Sequence, residues 1–527
     1  MLIPKEVKNV MDSLKRAGYE AYIVGGCARD FLFEKEPNDW DVTTNAKPEE
    51  ITKVFPDSFY ENKFLTVTVR TGSKNEKLAE IEITTYRHEA EYSDKRHPDS
   101  IQYANNLQDD LERRDFTINA MAIGEKSEIR LNSAELQRAK LSGYNPKFET
   151  NSKKPYGESA YWRQIKIQNS KFVLVDLFDG QKDLKNKIIR TVGKAEERFN
   201  EDALRMLRAV RFATTLNFSI EEKTANAIKK NSIWLEAISK ERIRDEFVKI
   251  IMADNAAGGI ELLRELNLLK YIVPELLENY GIQQNKHHIY DCYQHAVKSL
   301  EYTAKKKFNM HVRLAALLHD IAKPKVKNGE GENATFYNHE IVGAKMTFQI
   351  LNRLKFPNKD VEKITKLVRF HLFYYNVDEV GESSVRRLVK NVGPENMEEL
   401  LQVRQADRIG SGVPKAEPYK LRHLKYLIEK VSKDPISTKM LKVDGNDIIK
   451  VLNIKPGPKI GQILDALLGY VLDDPKKNNK EFLEKEVAKL GKLSDKELQN
   501  LAEKSKNEKQ EVETKNDQMT KSKYWVT

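Results

Sequence analysis

The amino-acid sequence predicts an α+β protein: a head built on a mixed sheet with helices, followed by a long all-helical body. Three observations carry this. Residues 1–123 alternate between helical and strand-like apolar spacing, whereas from about residue 196 to 495 apolar residues recur almost throughout at helical spacing. Between them, 124–170 is polar, rich in Lys, Asn and Ser and weakly periodic, and Phe172–Phe178 then returns as a strand. The 124–170 stretch therefore reads as an insertion in the head.

The elements follow in order. Val7, Val10, Met11 and Leu14 lie on one face of an N-terminal amphipathic helix. Ala21–Val24 is a short apolar strand stopping at Gly25-Gly26, and Phe64–Arg70 and Leu78–Thr84 alternate as strands do. Helical spacing runs through 196–270, 290–320, 340–356, 360–374 and 383–409, and a last helical module spans about 416–495. Residues 497–527 have few apolar positions before Tyr524-Trp525-Val526 and are expected to be disordered. The division expected is a head over 1–192, a helical neck over 193–270, a helical domain over 271–415, a helical tail over 416–496 and a loose end over 497–527.

A chain of 527 residues exceeds what one core supports. The net charge of +11, from 90 Lys and Arg against 79 Asp and Glu, favours a polyanionic partner. Two cysteines far apart, Cys27 and Cys292, exclude a disulfide framework and a cysteine zinc site. With no signal-peptide pattern and no apolar run long enough to span a bilayer, a cytoplasmic protein without membrane contact is expected.

The densest chemistry lies in Gly25-Gly26-Cys27-Ala28-Arg29-Asp30 followed by Asp39-Trp40-Asp41. Two glycines between a strand and a helix let backbone N–H groups approach a triphosphate, and Arg29 adds a cation on the first turn. On an extended segment Asp39 and Asp41 point to one face, as two carboxylates sharing Mg²⁺ must. Glu82 alternates with Ile81 and Ile83 and is the choice for a third carboxylate, with Glu80 the alternative.

These residues resemble the head of the polymerase-β-type nucleotidyltransferase superfamily, in the class II branch of CCA-adding enzymes and bacterial poly(A) polymerases. Arg113-Arg114-Asp115-Phe116-Thr117-Ile118-Asn119-Ala120, Glu201-Asp202-Ala203-Leu204-Arg205 with Arg208, and Glu241-Arg242-Ile243-Arg244-Asp245-Glu246 match further motifs of that branch. The resemblance implies that Arg114, Asp115 and Asn119 shape the sugar and phosphate pocket. It also implies that a tRNA 3′-hydroxyl attacks CTP or ATP. Asp202 and Arg205, three apart on a helix, share a face. The carboxylate accepts from the exocyclic amine of C or A, the arginine donates to the adjacent ring acceptor, and Arg208 backs the pair or touches phosphate. An ordinary helical ion pair is the commoner role for such residues. The polar stretch His88–Gln108, with Asp94-Lys95-Arg96-His97-Pro98, resembles the flexible loop of A-adding members.

Eight of the ten histidines follow residue 280. His295, His319-Asp320 and Asp407 follow the order of the HD superfamily, and His339 and His371 add the histidines of sites able to hold two metals. This donor set suits Mn²⁺, Ni²⁺, Fe²⁺ or Mg²⁺ over structural zinc. His287 and His288 would form a lid or touch substrate. The resemblance implies a phosphohydrolase acting on terminal or 2′,3′-cyclic phosphate of tRNA ends. Leu441–Asp447 and Lys455–Gly461 resemble the tRNA-gripping tail of the HD-bearing CCA branch, and Lys147, Lys153, Lys154 and Lys171 offer a further RNA contact. Addition of CCA to tRNA is the reading. A poly(A) polymerase, an enzyme adding A alone, and an HD phosphohydrolase with a vestigial head stay open.

Overall fold

The computed structural model describes residues 2–61, 66–90, 100–104, 106–125, 162–163, 172–284, 289–330, 333–377, 379–432 and 438–526. The expectations for Asp94–Pro98, His287, His288, Lys147, Lys153, Lys154 and Lys171 fall outside them. The chain divides into two compact units, Met1–Arg369 with Ala406–Gly412, and Phe370–Gln405 with Val413–Thr527.

In the first unit, the head sheet uses β1 (Tyr22–Val24), β2 (Asp41–Thr44), β3 (Ser58–Glu61), β4 (Thr66–Arg70), β5 (Glu80–Thr85), β8 (Met121–Glu125), β9 (Trp162–Arg163) and β10 (Phe172–Asp176), while β6 (Arg87–Ala90) and β7 (Ser100–Tyr103) form a separate antiparallel ribbon. The sheet order is β3-β4-β5-β2-β1-β8-β10-β9. Only β2 and β5 run parallel; every other pair in this sheet is antiparallel, so the sheet is mixed as expected. β8 and β10 are buried along nearly their whole length, and both read as short continuous apolar runs. Trp162–Arg163, inside the expected insertion, pair with β10 at the sheet edge.

The strand expected over Leu78–Thr84 begins two residues later. Asn75 accepts from the Lys77 N–H (3.1 Å) and starts a helical turn, Glu76–Ala79, that takes up Leu78. The polar stretch His88–Gln108 likewise contains structure: His88–Ala90 and Ser100–Tyr103 pair in the β6–β7 ribbon, and Leu107-Gln108 open the helix Leu107–Glu112.

Beyond the head sheet, the β6–β7 ribbon and a short parallel pair, Ile188–Ile189 with Ser219–Ile220, the described residues of this unit are mainly helical. Helix Leu204–Leu216 packs on Lys240–Met252 and Ala256–Glu265, and Ala256–Glu265 in turn packs on Cys292–Lys305. Arg313 is buried and donates to the carbonyls of Ile251 (2.9 Å), Ala253 (2.9 Å) and Phe308 (2.8 Å), which ties the neck to the helices that follow. Such a charge is tolerated only when its donors are satisfied.

The second unit centres on Leu441, Val443, Ile448, Ile463, Leu467, Leu483, Val487 and Leu490. The tail expected to be disordered is instead a single helix, Asp495–Tyr524, opened by a Ser494–Glu497 capping box. Leu498, Ala502 and Ser505 are buried along one face of this helix, against Pro458–Asp473. Tyr524 Oη donates to Glu429 (2.8 Å), and Tyr426 Oη donates to Asp517. Composition misled here: Leu498, Ala502 and Ser505, spaced at i, i+4 and i+7, put one narrow buried stripe on a helix that is otherwise largely polar and charged. No described helix is long and apolar enough to cross a membrane.

Candidate functional site

Two constellations in the first unit gather the sequence-selected residues, one in the head and one among the helices.

In the head, β1 runs directly into helix Gly25–Leu32. Gly25 has φ +78°, and a Cβ on it would lie 3.1 Å from Arg114 Nη1 and 3.3 Å from Asp41 Oδ2. The left-handed backbone favours glycine here, and a Cβ would press on both side chains. The Arg114 guanidinium therefore stands beside the start of this helix, where an anion is favoured.

Asp41 opens β2 and stands in register with Glu82 on the parallel neighbour β5. Trp40, between the two aspartates, is buried while Asp39 is exposed, so alternation holds across the segment. Burial, and then the carboxylates of Asp39 and Glu82, push Asp41 up to about 7, with Arg114 acting in the opposite sense. Glu80, two residues before Glu82, instead faces Arg70 (3.8 Å) on the exposed β4 side. The geometry thus brings Glu82, rather than Glu80, to the aspartates. Three carboxylates near enough for two of them to bear on the third are the donor type a hard divalent cation such as Mg²⁺ takes.

Around this point the polar side chains interlock. Arg29 donates to Asn119 Oδ1 (2.8 Å), and Asn119 donates to Asp115 Oδ1 (3.3 Å). Arg208 donates to Asp115 Oδ2 (2.7 Å). Burial disfavours the Asp115 carboxylate, but Arg208 and Arg205 outweigh it and hold the group below its ordinary range. Arg29, Arg208 and Arg211 lie at 5.4, 5.4 and 4.1 Å from the Phe212 ring, an aromatic platform that sequence reading missed. Its signal was Phe212 lying four residues beyond Arg208.

Asp202 and Arg205 do not share a helical face as expected. Helix Ala195–Glu201 ends at Asp202, whose backbone is extended (φ −140°, ψ 105°), and a new helix runs over Leu204–Leu216. Asp202 accepts from the Leu204 N–H (3.0 Å) and from Arg242 (2.7 and 3.4 Å). Arg205 pairs with Glu201 and donates to the Arg113 carbonyl (3.1 Å). A side chain that caps the following helix is satisfied best by leaving the helix before it, which a spacing argument does not see.

The second constellation is buried. His295 Nε2 and His319 Nε2 lie 2.9 Å apart; Asp320 Oδ2 is 3.1 Å from the first and 3.2 Å from the second. Asp407 Oδ1 stands 3.4 and 3.7 Å from the same nitrogens, and His339 Nε2 lies 3.3 Å from Asp320 Oδ1. His319 Nδ1 faces the Ala316 carbonyl (2.9 Å) and His339 Nδ1 that of Phe336 (2.7 Å), so each ring directs Nε2 inward. Burial opposes a charged His319, yet Asp320 and Asp407 outweigh it and push the ring up to about 10. Imidazoles crowded against carboxylates in this way fit a divalent transition ion, which would take the place of that proton. His371 is buried in the second unit.

Fold and sites together define a nucleotidyltransferase head joined to an HD domain. The matching family models agree: the Poly A polymerase head domain over residues 21–133, the probable RNA and SrmB- binding site of polymerase A over 217–279, and the HD domain over 287–411. The CCA-adding enzyme of Ligilactobacillus salivarius (strain UCC118) is 31% identical over 505 residues, 92% of this chain and 99% of that protein. That of Enterococcus faecalis (strain ATCC 700802 / V583) is 29% identical over 488 residues, 91% and 94% of the two chains. The crystal structure of the Bacillus stearothermophilus CCA-adding enzyme in complex with CTP shares the fold, with a TM-score of 0.54 at 24% identity over 92% of this chain and 98% of that one. The chain belongs to the CCA-adding enzyme family.

Proposed function

We propose that this chain adds C, C and A to the 3′ end of tRNA from CTP and ATP, with no nucleic-acid template, and that the Asp39, Asp41 and Glu82 carboxylates are its catalytic centre. The observation that carries the reading is the parallel register of Asp41 and Glu82 beside the Gly25-Gly26 helix start and Arg114. Asp39, Asp41 and Glu82 would hold Mg²⁺, which when bound lowers the cost of charge on the attacking and leaving oxygens. The protein's own part is positioning. Helix-opening N–H groups at Gly25 and Gly26, with Arg29 and Arg114, bind and orient the triphosphate for in-line attack on the α-phosphate. Asp115, Asn119 and Arg208 form the polar wall that fixes the sugar.

Base choice rests on Asp202 and Arg205. A carboxylate accepts from the amine of cytosine or adenine and meets a carbonyl in uracil or guanine, a mismatch costing a few kcal/mol when buried. Poly(A) synthesis, which the head motifs alone admit, is disfavoured by likeness to CCA-adding enzymes along nearly the whole chain. A cytoplasmic protein is the localisation carried forward from the sequence.

A second activity is favoured by the buried His295, His319, Asp320, His339 and Asp407 cluster. It would hold a transition ion such as Mn²⁺ or Ni²⁺ and hydrolyse a phosphate ester at a tRNA end; His371 is carried forward from the sequence as a further ligand.

The test is extension of a tRNA transcript ending at the discriminator base, given CTP, ATP or both. Two C and then one A, stopping there, is the expected result. A long A ladder on any RNA would replace the reading with poly(A) synthesis, and A added only to transcripts ending in CC would replace it with A addition.

A further inference from the structure

One buried ionisable group in the head takes no part in the reaction set out above. Asp110 is wholly buried. Its Oδ1 accepts from Arg113 Nε (3.0 Å) and Nη2 (2.6 Å), and its Oδ2 from Arg114 Nη2 (3.1 Å) and Thr43 Oγ1 (3.3 Å). Burial disfavours the carboxylate, but the two arginines more than offset it and hold Asp110 below its ordinary range. Thr43 lies on β2 two residues beyond Asp41 and also meets the Thr84 carbonyl of β5 (3.1 Å). Asp110 thus meets β2, the strand that carries Asp41, through Thr43.

The consequence falls on Arg114. Its Nη2 is held by Asp110, its Nη1 reaches the space over Gly25 beside Asp41 Oδ2, and its buried Nε has no hydrogen-bond partner among the described residues. An arginine is a long chain with several rotatable bonds. Without the anchor, the Asp41 carboxylate, which already feels this guanidinium electrostatically, becomes available to it as a charge-assisted partner. A collapse of that kind would withdraw a donor from the triphosphate and place a fixed cation on an oxygen meant for the metal.

We propose that Asp110 is a positioning residue for nucleotidyl transfer: it holds Arg114 by one guanidinium nitrogen, so that the other meets the nucleotide's triphosphate at Gly25 instead of the Asp41 carboxylate. The proposal rests on the head being a nucleotidyltransferase.

The experiment is steady-state extension by the full chain, wild type against Asp110→Asn, Arg114→Ala and the double variant, with CTP and then Mg²⁺ varied and the melting temperature of each recorded. Asparagine keeps the shape and one acceptor but removes the charge. Asp110→Asn is expected to raise KM for CTP about tenfold with a smaller change in kcat, to raise the Mg²⁺ concentration needed for half-maximal rate, and to add nothing to the defect of Arg114→Ala. Equal, additive losses on both backgrounds, or an unchanged KM and Mg²⁺ response, would overturn the proposal. If Asp110→Asn fails to fold, Thr43→Val takes its place, with a rise in KM of about twofold to threefold that vanishes on the Arg114→Ala background; no rise overturns the proposal. A wild-type chain that extends no tRNA sinks the nucleotidyltransferase reading itself. An active wild type, an inactive Asp41→Asn and an unmoved Asp110→Asn sink only the proposal.

Discussion

Asp41 and Glu82 sit opposite one another on the only parallel pair among the described strands of the head sheet, 41 residues apart in the chain. In a parallel pair, partners in register project to the same face, so this pairing alone turns two separate acidic residues into one site. Asp41→Asn and Glu82→Gln should each lower the single-turnover rate of C addition by about a thousandfold, the scale of losing a group that stabilises transition-state charge. Glu80→Gln should leave it within about twofold, since that residue faces Arg70. A large loss from Glu80→Gln with none from Glu82→Gln would reverse the assignment.

Asp202 is held by Arg242 as well as by its own cap to Leu204. Removing Arg242 should let the carboxylate wander while leaving the helix start intact. Arg242→Ala is expected to reduce discrimination against UTP and GTP by about tenfold, read as the ratio of kcat/KM for correct and incorrect nucleotides. Asp202→Ala should reduce it further. If Arg242→Ala changes rate but not the ratio, the ion pair serves stability alone.

The HD cluster and the head should fail separately. His319→Ala removes an imidazole at the centre of the buried group, and metal content measured on the purified chain should fall by one equivalent or more per molecule at the HD site. CCA addition should continue. Undiminished transition-metal content in that variant would disprove the cluster as a binding site.

Asp110 and Asp115 make the head sensitive to acid. Both are held below the ordinary aspartate value of 3.8. A carboxylate shifted down on folding adds stability fully present above the unfolded value and lost as pH falls through the folded one. Urea midpoints measured downward from pH 6 should therefore drop below about pH 4, and the gap between wild type and Asp110→Asn should narrow over that same range. A gap that stays constant with pH would mean that the charge of Asp110 contributes nothing to stability.

The C-terminal helix should behave as part of its unit. Leu498 is wholly buried in the core shared with Ile463 and Leu467. Leu498→Ala should cost about 3 kcal/mol, seen as a lower unfolding midpoint. No change would show that the helix is not docked in solution.

Much of this was legible in the residues. Gly25-Gly26, Asp39, Asp41, Arg113–Asn119 and the HD order are local patterns, because phosphate, metal and imidazole chemistry each demand particular groups at short spacing. Alternation placed Glu80 and Glu82 together on the polar face of one strand, but it could not choose between them. The helical break at Asp202 was hidden by a spacing that is equally good for one continuous helix. The tail helix was hidden by composition, since its docking needs only a few small residues meeting a partner far away in the chain.

The sequence by itself determined the head and helical-body architecture, the family it resembles and nearly all the residues proposed for the two sites. Only the tertiary structure showed Asp41 in register with Glu82, Asp202 held by Arg242, and Arg114 held by Asp110. The reason is physical. Local patterns record what a short stretch can do, whereas strand register, shared buried charges and the choice of partner for a long side chain depend on residues brought together only when the chain closes on itself.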